Sequence, residues 1–245
     1  MALREEFETS GQWLFRWRSY LPLISVIIFI LAIVEVAVSG AAAMAFVDLW
    51  ICLAVALFGL AIRGFTIGHT PKGTSGRNTK AQVADTLNTT GIYSIVRNPL
   101  YVGNYFMGLG VALYPGLWYL VLIYSFVFWL YYERIIFAEE AFLRDKFGSD
   151  YLDWAARTPV FIPRLGQYER ANLPFSWKNV LRREYNGFFA PIFALLLLEL
   201  ARTAIATGDV ALTEQWQTVL SVSFAIWFVL RLLKRHTKIL DVDGR

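Results

Sequence analysis

Long uncharged apolar runs alternate with polar blocks along this 245-residue chain, and the alternation predicts its elements before any motif is considered. Leu21 to Val38 is apolar apart from Ser25 and Glu35. A short uncharged turn, Ser39 to Ala43, leads into a second run from about Met44 to Ile62. The chain is apolar again from Leu100 to Tyr114, turns at Pro115-Gly116, and returns from Leu117 to about Tyr132. Two further runs cover Phe188 to about Ala201 and Gln217 to Leu233. A hydrocarbon core about 30 Å thick needs about 20 helical residues. The pattern therefore predicts an all-α polytopic membrane protein with about six transmembrane helices.

Two of these runs are short. At 1.5 Å per residue, Leu100 to Tyr114 reaches only roughly 22 Å. Gly103, Gly108 and Gly110 leave one side of it nearly bare, which permits close helix approach. Together with Leu117 to Tyr132 it predicts a tight helical hairpin whose outbound arm starts below the membrane surface. Phe188 to Ala201 gains span length only by extending backwards.

The polar blocks fill in the rest. Residues 1–20 mix charges with Phe7, Trp13, Phe15, Trp17 and Tyr20, forming an interfacial collar before a retained first span, with no cleavable leader pattern. Arg63 to Thr90 has the Gly, Thr and Asn content of a loop. Residues 133–170 predict an amphipathic helix closed by Gly148 and a second short helix. An extended stretch from Arg157 to Arg164 follows, because each proline there biases its predecessor away from helix. Residues 171–187 read as a helix lying in the interface. The expected units are an N-terminal anchor (1–62), a core holding the hairpin and a pocket (63–170), and an interfacial helix with two C-terminal spans (171–245).

Composition agrees. Hydrophobic residues make up 57% and charged residues 17%, against roughly 25% charged in an average soluble domain, and mean hydropathy is +0.47. Cys52 is the single cysteine and His69 and His236 the two histidines, so neither an intramolecular disulfide nor a zinc or haem site is expected. Net charge is only +4, but its placement is informative: of the 23 Lys and Arg residues, all but Arg202 fall on one side of the predicted spans. The positive-inside rule then puts both termini and both large loops in the cytoplasm, and a bacterial inner membrane is the expected location. The Asn88-Thr89-Thr90 sequon falls on the cytoplasmic side and so is not read as a glycosylation site. Glu35 and Glu199 lie inside spans near the outer end, and Arg202, three residues from Glu199, predicts a structural ion pair there. No nucleic-acid partner is expected, and oligomeric state is open.

The chemistry concentrates where the polar blocks flank the hairpin. Arg97-Asn98 stands at one arm, and Glu133-Arg134 with Glu139-Glu140 at the other. Carboxylates accept hydrogen bonds from ribose hydroxyl or ammonium groups, and Arg97 suits a carboxylate. Pro99 is tolerated as the first helical residue, and the helix N-terminus behind it favours an anion. This arrangement suits a small charged cofactor bound from the cytosol, without identifying it. On a helix, Glu133, Phe137 and Glu140 share one face while Glu139 points elsewhere.

Leu87-Asn-Thr-Thr-Gly91-Ile-Tyr93-Ser-Ile-Val-Arg97-Asn98-Pro99-Leu-Tyr101-Val-Gly103, followed by Glu139-Glu140-x-x-Leu143-x-x-x-Phe147-Gly148-x-x-Tyr151 and a closing Phe-Ile-Pro, resembles the integral-membrane methyltransferases. That group contains isoprenylcysteine carboxyl methyltransferase and the phospholipid N-methyltransferases. The resemblance runs from about Arg63 to Arg164. It implies S-adenosylmethionine in a cytoplasmic pocket and a membrane lipid or lipid-linked substrate entering sideways from the bilayer. Carried over by position, the turn holding Leu87, Gly91 and Tyr93 wraps the cofactor. Arg97, Asn98, Pro99, Leu100 and Tyr101 line the pocket with Gly103 in the same set, and Glu139 and Glu140 accept hydrogen bonds from the cofactor. Arg134 is the candidate to steer an anionic substrate, and a Tyr or Glu near the site, with Glu140 the candidate carboxylate, could take a proton from an amine.

The chain departs from the family in three places. Asn98-Pro99 stands where the prenylcysteine branch has His-Pro and matches the phospholipid branch, which leaves substrate class open between carboxylate, phosphate and amine. The substrate-side Arg expected one turn before the paired acids falls at Ile135, with Arg134 one position away. The spans after Phe188 have no counterpart in the smaller members. A nicotinamide-dependent membrane reductase is the second reading, kept open by Lys72, Arg77 and Lys80 in the loop. A transporter or structural protein is disfavoured, because polar residues gather at one membrane face and no internal repeat is visible. His69 and His236 read as interfacial bystanders.

Overall fold

A computed structural model describes residues 2–18, 20–38, 46–74 and 82–245. These residues form the helices α1 (Leu3–Trp17), α2 (Leu21–Val38), α3 (Leu49–Gly68), α4 (Pro99–Leu113), α5 (Trp118–Arg157), α6 (Trp177–Thr207) and α7 (Glu214–His236). Among the described residues the only β-type pairing is an isolated bridge between Gly91 and Glu169. The all-α polytopic class expected from the hydropathy pattern is the one observed.

The N-terminal collar is a helix docked on the molecule. Glu5 and Glu6 open α1 and Arg16 closes it, the charge order that suits a helix dipole. It lies along α5, where Phe7 meets Phe137 edge-on at 5.6 Å. Gly11 lets the two backbones approach, since a Cβ there would collide with the Arg134 carbonyl oxygen.

α3 opens on Asp48, whose carboxylate accepts from the Trp50 and Ile51 backbone N–H groups at 2.9 and 3.3 Å. The crossing of α3 with α4 sets the frame of the bundle. A Cβ on Gly59 would strike the Gly103 carbonyl oxygen, and one on Gly110 would strike the Cys52 carbonyl oxygen. Gly108 instead faces Tyr124 of α5. The three glycines therefore serve two helix contacts, and the hairpin arm α4 packs more extensively on α3 than on α5.

Two elements are longer than their apolar runs. α5 continues past its apolar half into the polar segment and breaks only at Gly148 (φ 53°), as the expected helix end there requires. α6 runs unbroken for 31 residues from Trp177, so the interfacial helix and the following span are one rod. Ser176 caps it by accepting from the Asn179 N–H, and Asn179 Nδ2 donates to the Ile67 carbonyl at 2.8 Å, fixing α6 to the end of α3. Among the described residues four helices (α3, α5, α6 and α7) are long and apolar enough to cross a membrane. The other two expected spans are shorter: α4 has 15 residues, and α2 offers the apolar stretch Ile24–Glu35. Met44, in the expected second span, lies outside the described residues.

One core joins α2, α3, α4, α5, α6 and α7 around Phe29, Cys52, Val111, Leu117, Leu195 and Trp216. Beside it the expected Glu199–Arg202 pair is present, with Nη2–Oε1 at 2.6 Å and Nε–Oε2 at 2.8 Å. Tyr114 also donates to Glu199 and accepts from Arg202. Glu35 is exposed.

Because the α3–α4 crossing leaves no room at Gly110, Gly110→Val is expected to cost on the order of 1–3 kcal/mol by overpacking. Thermal unfolding of the purified protein in detergent checks this, and an unchanged midpoint would contradict the close crossing.

Candidate active site

The polar turn before α4 is held by a distant strap. Gly91 has φ 64°, a conformation that suits glycine, and its N–H donates to the Glu169 carbonyl at 2.9 Å. The Arg97 N–H donates to the Pro159 carbonyl at 2.8 Å, Arg164 N–H to Ile95 at 3.0 Å, and Asn98 Nδ2 to Val160 at 3.1 Å. Trp154 Nε1 donates to the Tyr93 carbonyl at 3.0 Å from the far side of Gly148. The stretch after Arg157, irregular as its prolines predict, thus clasps the turn and presents it to the start of α4.

Behind this turn lies a cavity of about 1020 Å³. One end is polar, with Arg18, Tyr93, Arg97, Asn98, Tyr101 and Glu139 in its wall. The other is apolar, with Ile28, Phe29, Val111, Val127, Pro191 and Ala194. Between the two ends the wall carries Arg63, Asn104, Tyr132 and Glu184. The cavity is amphiphilic along its length.

At the polar end Glu139 accepts from Tyr101 Oη at 2.8 Å and from Arg18 Nη1 at 3.2 Å. The Arg18 guanidinium also covers the Phe15 ring at 3.9 Å. Burial raises the Glu139 carboxyl above the ordinary glutamate range, opposed by Arg18 and by the Tyr101 hydroxyl. Glu140 faces away from this group. Its Oε1 stands 3.2 Å from Arg97 Nη1, and burial raises its carboxyl against the opposing Arg97 charge. Arg97 Nε, Glu140 Oε1 and Tyr151 Oη are buried without an aligned hydrogen bond among the described residues.

The expected residues divide into two sets. Tyr93, Arg97, Asn98, Pro99, Leu100, Tyr101 and Glu139 line the cavity together. Leu87, Gly91, Gly103 and Glu140 stand behind the wall: Gly91 shapes the turn, Gly103 gives passage to the Arg63 side chain, and Glu140 holds Arg97. Arg134 is also outside. Its Nη1 donates to Ser10 Oγ at 3.2 Å and its guanidinium covers the Phe7 ring at 3.8 Å, so the structure uses it to seat α1 on α5. The arginine that meets Glu139 is Arg18, from the N-terminal collar, and Glu140 meets Arg97 instead.

Arg18, Arg63, Asn104, Tyr132 and Glu184 lay outside the motif reading. Arg63 and Glu184 carried a signal in the sequence: one cation and one anion, each at the polar margin of a long apolar run. In the structure Arg63 Nε and Nη2 donate to the two Glu184 oxygens at 2.8 and 2.7 Å. Lys72, part of the nicotinamide reading, is exposed and absent from the cavity wall, and Arg77 and Lys80 lie outside the described residues.

Known proteins resemble the part of the chain that holds the turn, α4 and most of α5. Residues 48–150, from the cap of α3 to just beyond the Gly148 break, match the family model for phospholipid methyltransferase. A protein-S-isoprenylcysteine O-methyltransferase of Schizosaccharomyces pombe is 38% identical over 77 residues, covering 31% of this chain and 33% of that protein. The cobalt-zinc-cadmium resistance protein CzcN of Cupriavidus metallidurans is 37% identical over 84 residues, covering 34% and 38%. The nickel-cobalt-cadmium resistance protein NccN of Alcaligenes xylosoxydans xylosoxydans is 31% identical over 121 residues, covering 49% and 55%. The chain thus spans about a third to just over half the length of these relatives. No solved structure matches. The segment that carries the turn, α4 and the paired acids is thus the part of the chain that is similar to the phospholipid methyltransferase family.

Proposed function

We propose that the chain is an integral-membrane methyltransferase that takes its methyl group from S-adenosylmethionine and delivers it to a membrane amphiphile. The observation that carries this reading is a cavity whose wall holds charged groups around the start of α4 and the polar half of α5, and apolar groups from α2, α4 and α6. A zwitterionic cofactor fits the polar end. Arg97 has a buried Nε with no hydrogen bond among the described residues and stands beside the N-terminus of α4, a donor set for a carboxylate. Glu139 faces the same space and suits ammonium or ribose hydroxyl groups. Tyr93 and Tyr101 give the wall flat aromatic surface, and the apolar end suits alkyl chains entering from the bilayer.

Bound S-adenosylmethionine supplies a methyl carbon already activated by a sulfonium. The protein's part is alignment and exclusion of water from the nucleophile. The turn clasped by residues 157–170 closes the polar end, and the aromatic groups of Tyr101, Phe128 and Tyr132 wall off the middle. A carboxylate or phosphate nucleophile needs no base near neutral pH, whereas an ammonium group must lose a proton. Both termini and the polar end of the cavity face the cytoplasm in this reading, with the Glu199–Arg202 latch at the outer surface. Reporter fusions check that orientation: alkaline phosphatase is expected to be active when joined near Asp209 and silent when joined after Arg245.

Calorimetry on the detergent-purified protein is expected to show S-adenosylmethionine binding and no NADPH binding. Absence of S-adenosylmethionine binding at about millimolar concentration, the weak end of specific affinities, would remove the proposal. Glu139→Gln and Tyr101→Ala are expected to weaken cofactor affinity about tenfold or more, the loss of one charge-assisted hydrogen bond. Glu140→Gln acts through Arg97 and is expected to weaken it less.

Cofactor affinity is also expected to depend on pH through Glu139. Its carboxyl is raised by burial, so the carboxylate that holds a cationic group is lost at a higher pH than for an ordinary glutamate. Affinity is full above that raised value and falls as pH drops through it. The dependence is expected to vanish in Glu139→Gln, and a pH profile identical in the two proteins would assign the group elsewhere.

A further inference from the structure

The middle of the cavity holds a chain of hydrogen bonds whose directions are fixed by chemistry. Arg63 donates through Nε and Nη2 to Glu184 at 2.8 and 2.7 Å and through Nη1 to Asn104 Oδ1 at 2.7 Å. A guanidinium has donors and no acceptor, so the Asn104 atom that faces it must be the carbonyl oxygen. The amide nitrogen then lies on the other side, where Nδ2 donates to Tyr132 Oη at 3.0 Å. Tyr132 is an acceptor in that bond and keeps its own proton for another partner. Among the described residues no acceptor takes it.

The space for this chain is built into the sequence. A Cβ on Gly103 would collide with Arg63 Cγ, and a Cβ on Gly187 would stand 2.7 Å from Glu184 Oε2. The Tyr132 ring is held between Tyr101 and Phe128, with centroids at 4.5 and 4.3 Å. Asn104 lies about one helical turn past Tyr101 on α4, and Tyr132 about two turns before Glu139 on α5. The hydroxyl is therefore set at the boundary between the charged end and the alkyl-lined end. Glu184 comes from α6, beyond the residues 48–150 that match the family model.

We infer that Tyr132 is the hydrogen-bond donor that receives an anionic oxygen of the lipid head group, and that Asn104, Arg63 and Glu184 are positioning residues that aim its proton. The ligand as a methyl acceptor rests on the reading above; the aim of the proton does not. The ligand class is an amphiphile whose head group carries a carboxylate or phosphate oxygen. A quaternary ammonium head group offers no acceptor and gains nothing from this donor.

The test uses the full chain in detergent and four probes: palmitate, hexadecyl phosphate, hexadecyltrimethylammonium and S-adenosylmethionine. The wild type is expected to bind at least one of the two anionic lipids more tightly than hexadecyltrimethylammonium. Whichever of the two binds better distinguishes carboxylate from phosphate. Tyr132→Phe keeps the ring stack and is expected to weaken anionic-lipid binding about tenfold, the loss of one hydrogen bond to a charged group. It is expected to leave the ammonium lipid and S-adenosylmethionine unchanged. Asn104→Asp still accepts from Arg63 but also accepts from Tyr132, which turns the hydroxyl proton away from the ligand. It is expected to show the same loss although the tyrosine is intact, and the double variant is expected to lose no more than either single one.

Anionic lipids no tighter than the ammonium lipid, wild-type affinity in either single variant, or additive losses in the double variant would each overturn the assignment. If Asn104→Asp does not fold, Tyr132→Phe decides alone, and undiminished anionic-lipid affinity overturns it. Wild-type protein that binds anionic lipid through Tyr132 but not S-adenosylmethionine would sink the methyltransferase reading and leave this one standing.

Discussion

A guanidinium held among helices of a membrane protein is tolerable only if each of its nitrogens finds a partner, because several kcal/mol of lost hydration must be recovered. Arg63 meets that demand with groups drawn from two other helices: Glu184 on α6, and Asn104 with the Leu100 carbonyl on α4. The match requires α4 to lie close enough for the arginine stem to cross it at Gly103. It also requires α6 to present its carboxylate at the same level. The bare side of α4 and the long polar start of α6 are two parts of one arrangement. Breaking the ion pair would leave a buried charge, so the three helices are bound to one relative position.

That constraint gives the cavity its shape. The ion pair places fixed polar groups partway along the wall, while Arg18 and Glu139 place another set at its polar end. The two sets are linked through the rings of Tyr101 and Tyr132, which meet at a tilt of 45°. Each of α3, α4, α5 and α6 contributes one or more of these polar side chains, and Arg18, the residue after α1, adds another. The rest of the wall is largely apolar, so charged and apolar groups share one cavity.

Much of this was legible in the sequence. The apolar runs gave the helices, the Pro99 start and Gly148 end were placed correctly, and the Glu199–Arg202 pair followed from spacing alone. The motif placed Tyr93, Arg97, Asn98, Tyr101 and Glu139 in one wall. What it missed depends on contacts distant in sequence. Arg134 is one position from the expected arginine, and on a helix one position is about 100° of rotation. That rotation turns it to Ser10 and Phe7, and the arginine that meets Glu139 is Arg18, more than a hundred residues earlier. Local spacing cannot show that a helix from the far end of the chain will supply a side chain. Nor can it show that Glu184 will meet Arg63, since each alone reads as a charge at a membrane margin.

The same rotation separates the paired acids. Glu139 and Glu140 are adjacent in sequence, and a helix must point them in different directions. Glu139 looks into the cavity, where Tyr101 and Arg18 leave it beside open space. Glu140 looks toward Arg97 and Tyr151, behind the wall, on the side where the strap clasps the turn. An acid that only contacted ligand would need no neighbour, and an acid that only held the turn would need no access to the cavity. Two adjacent acids on one rigid helix face both ways: Glu139 opens on the cavity, and Glu140 holds Arg97, another residue of the cavity wall. The doublet thus couples the position of the turn before α4 to the carboxylate across from it, and a shift in either is felt at both.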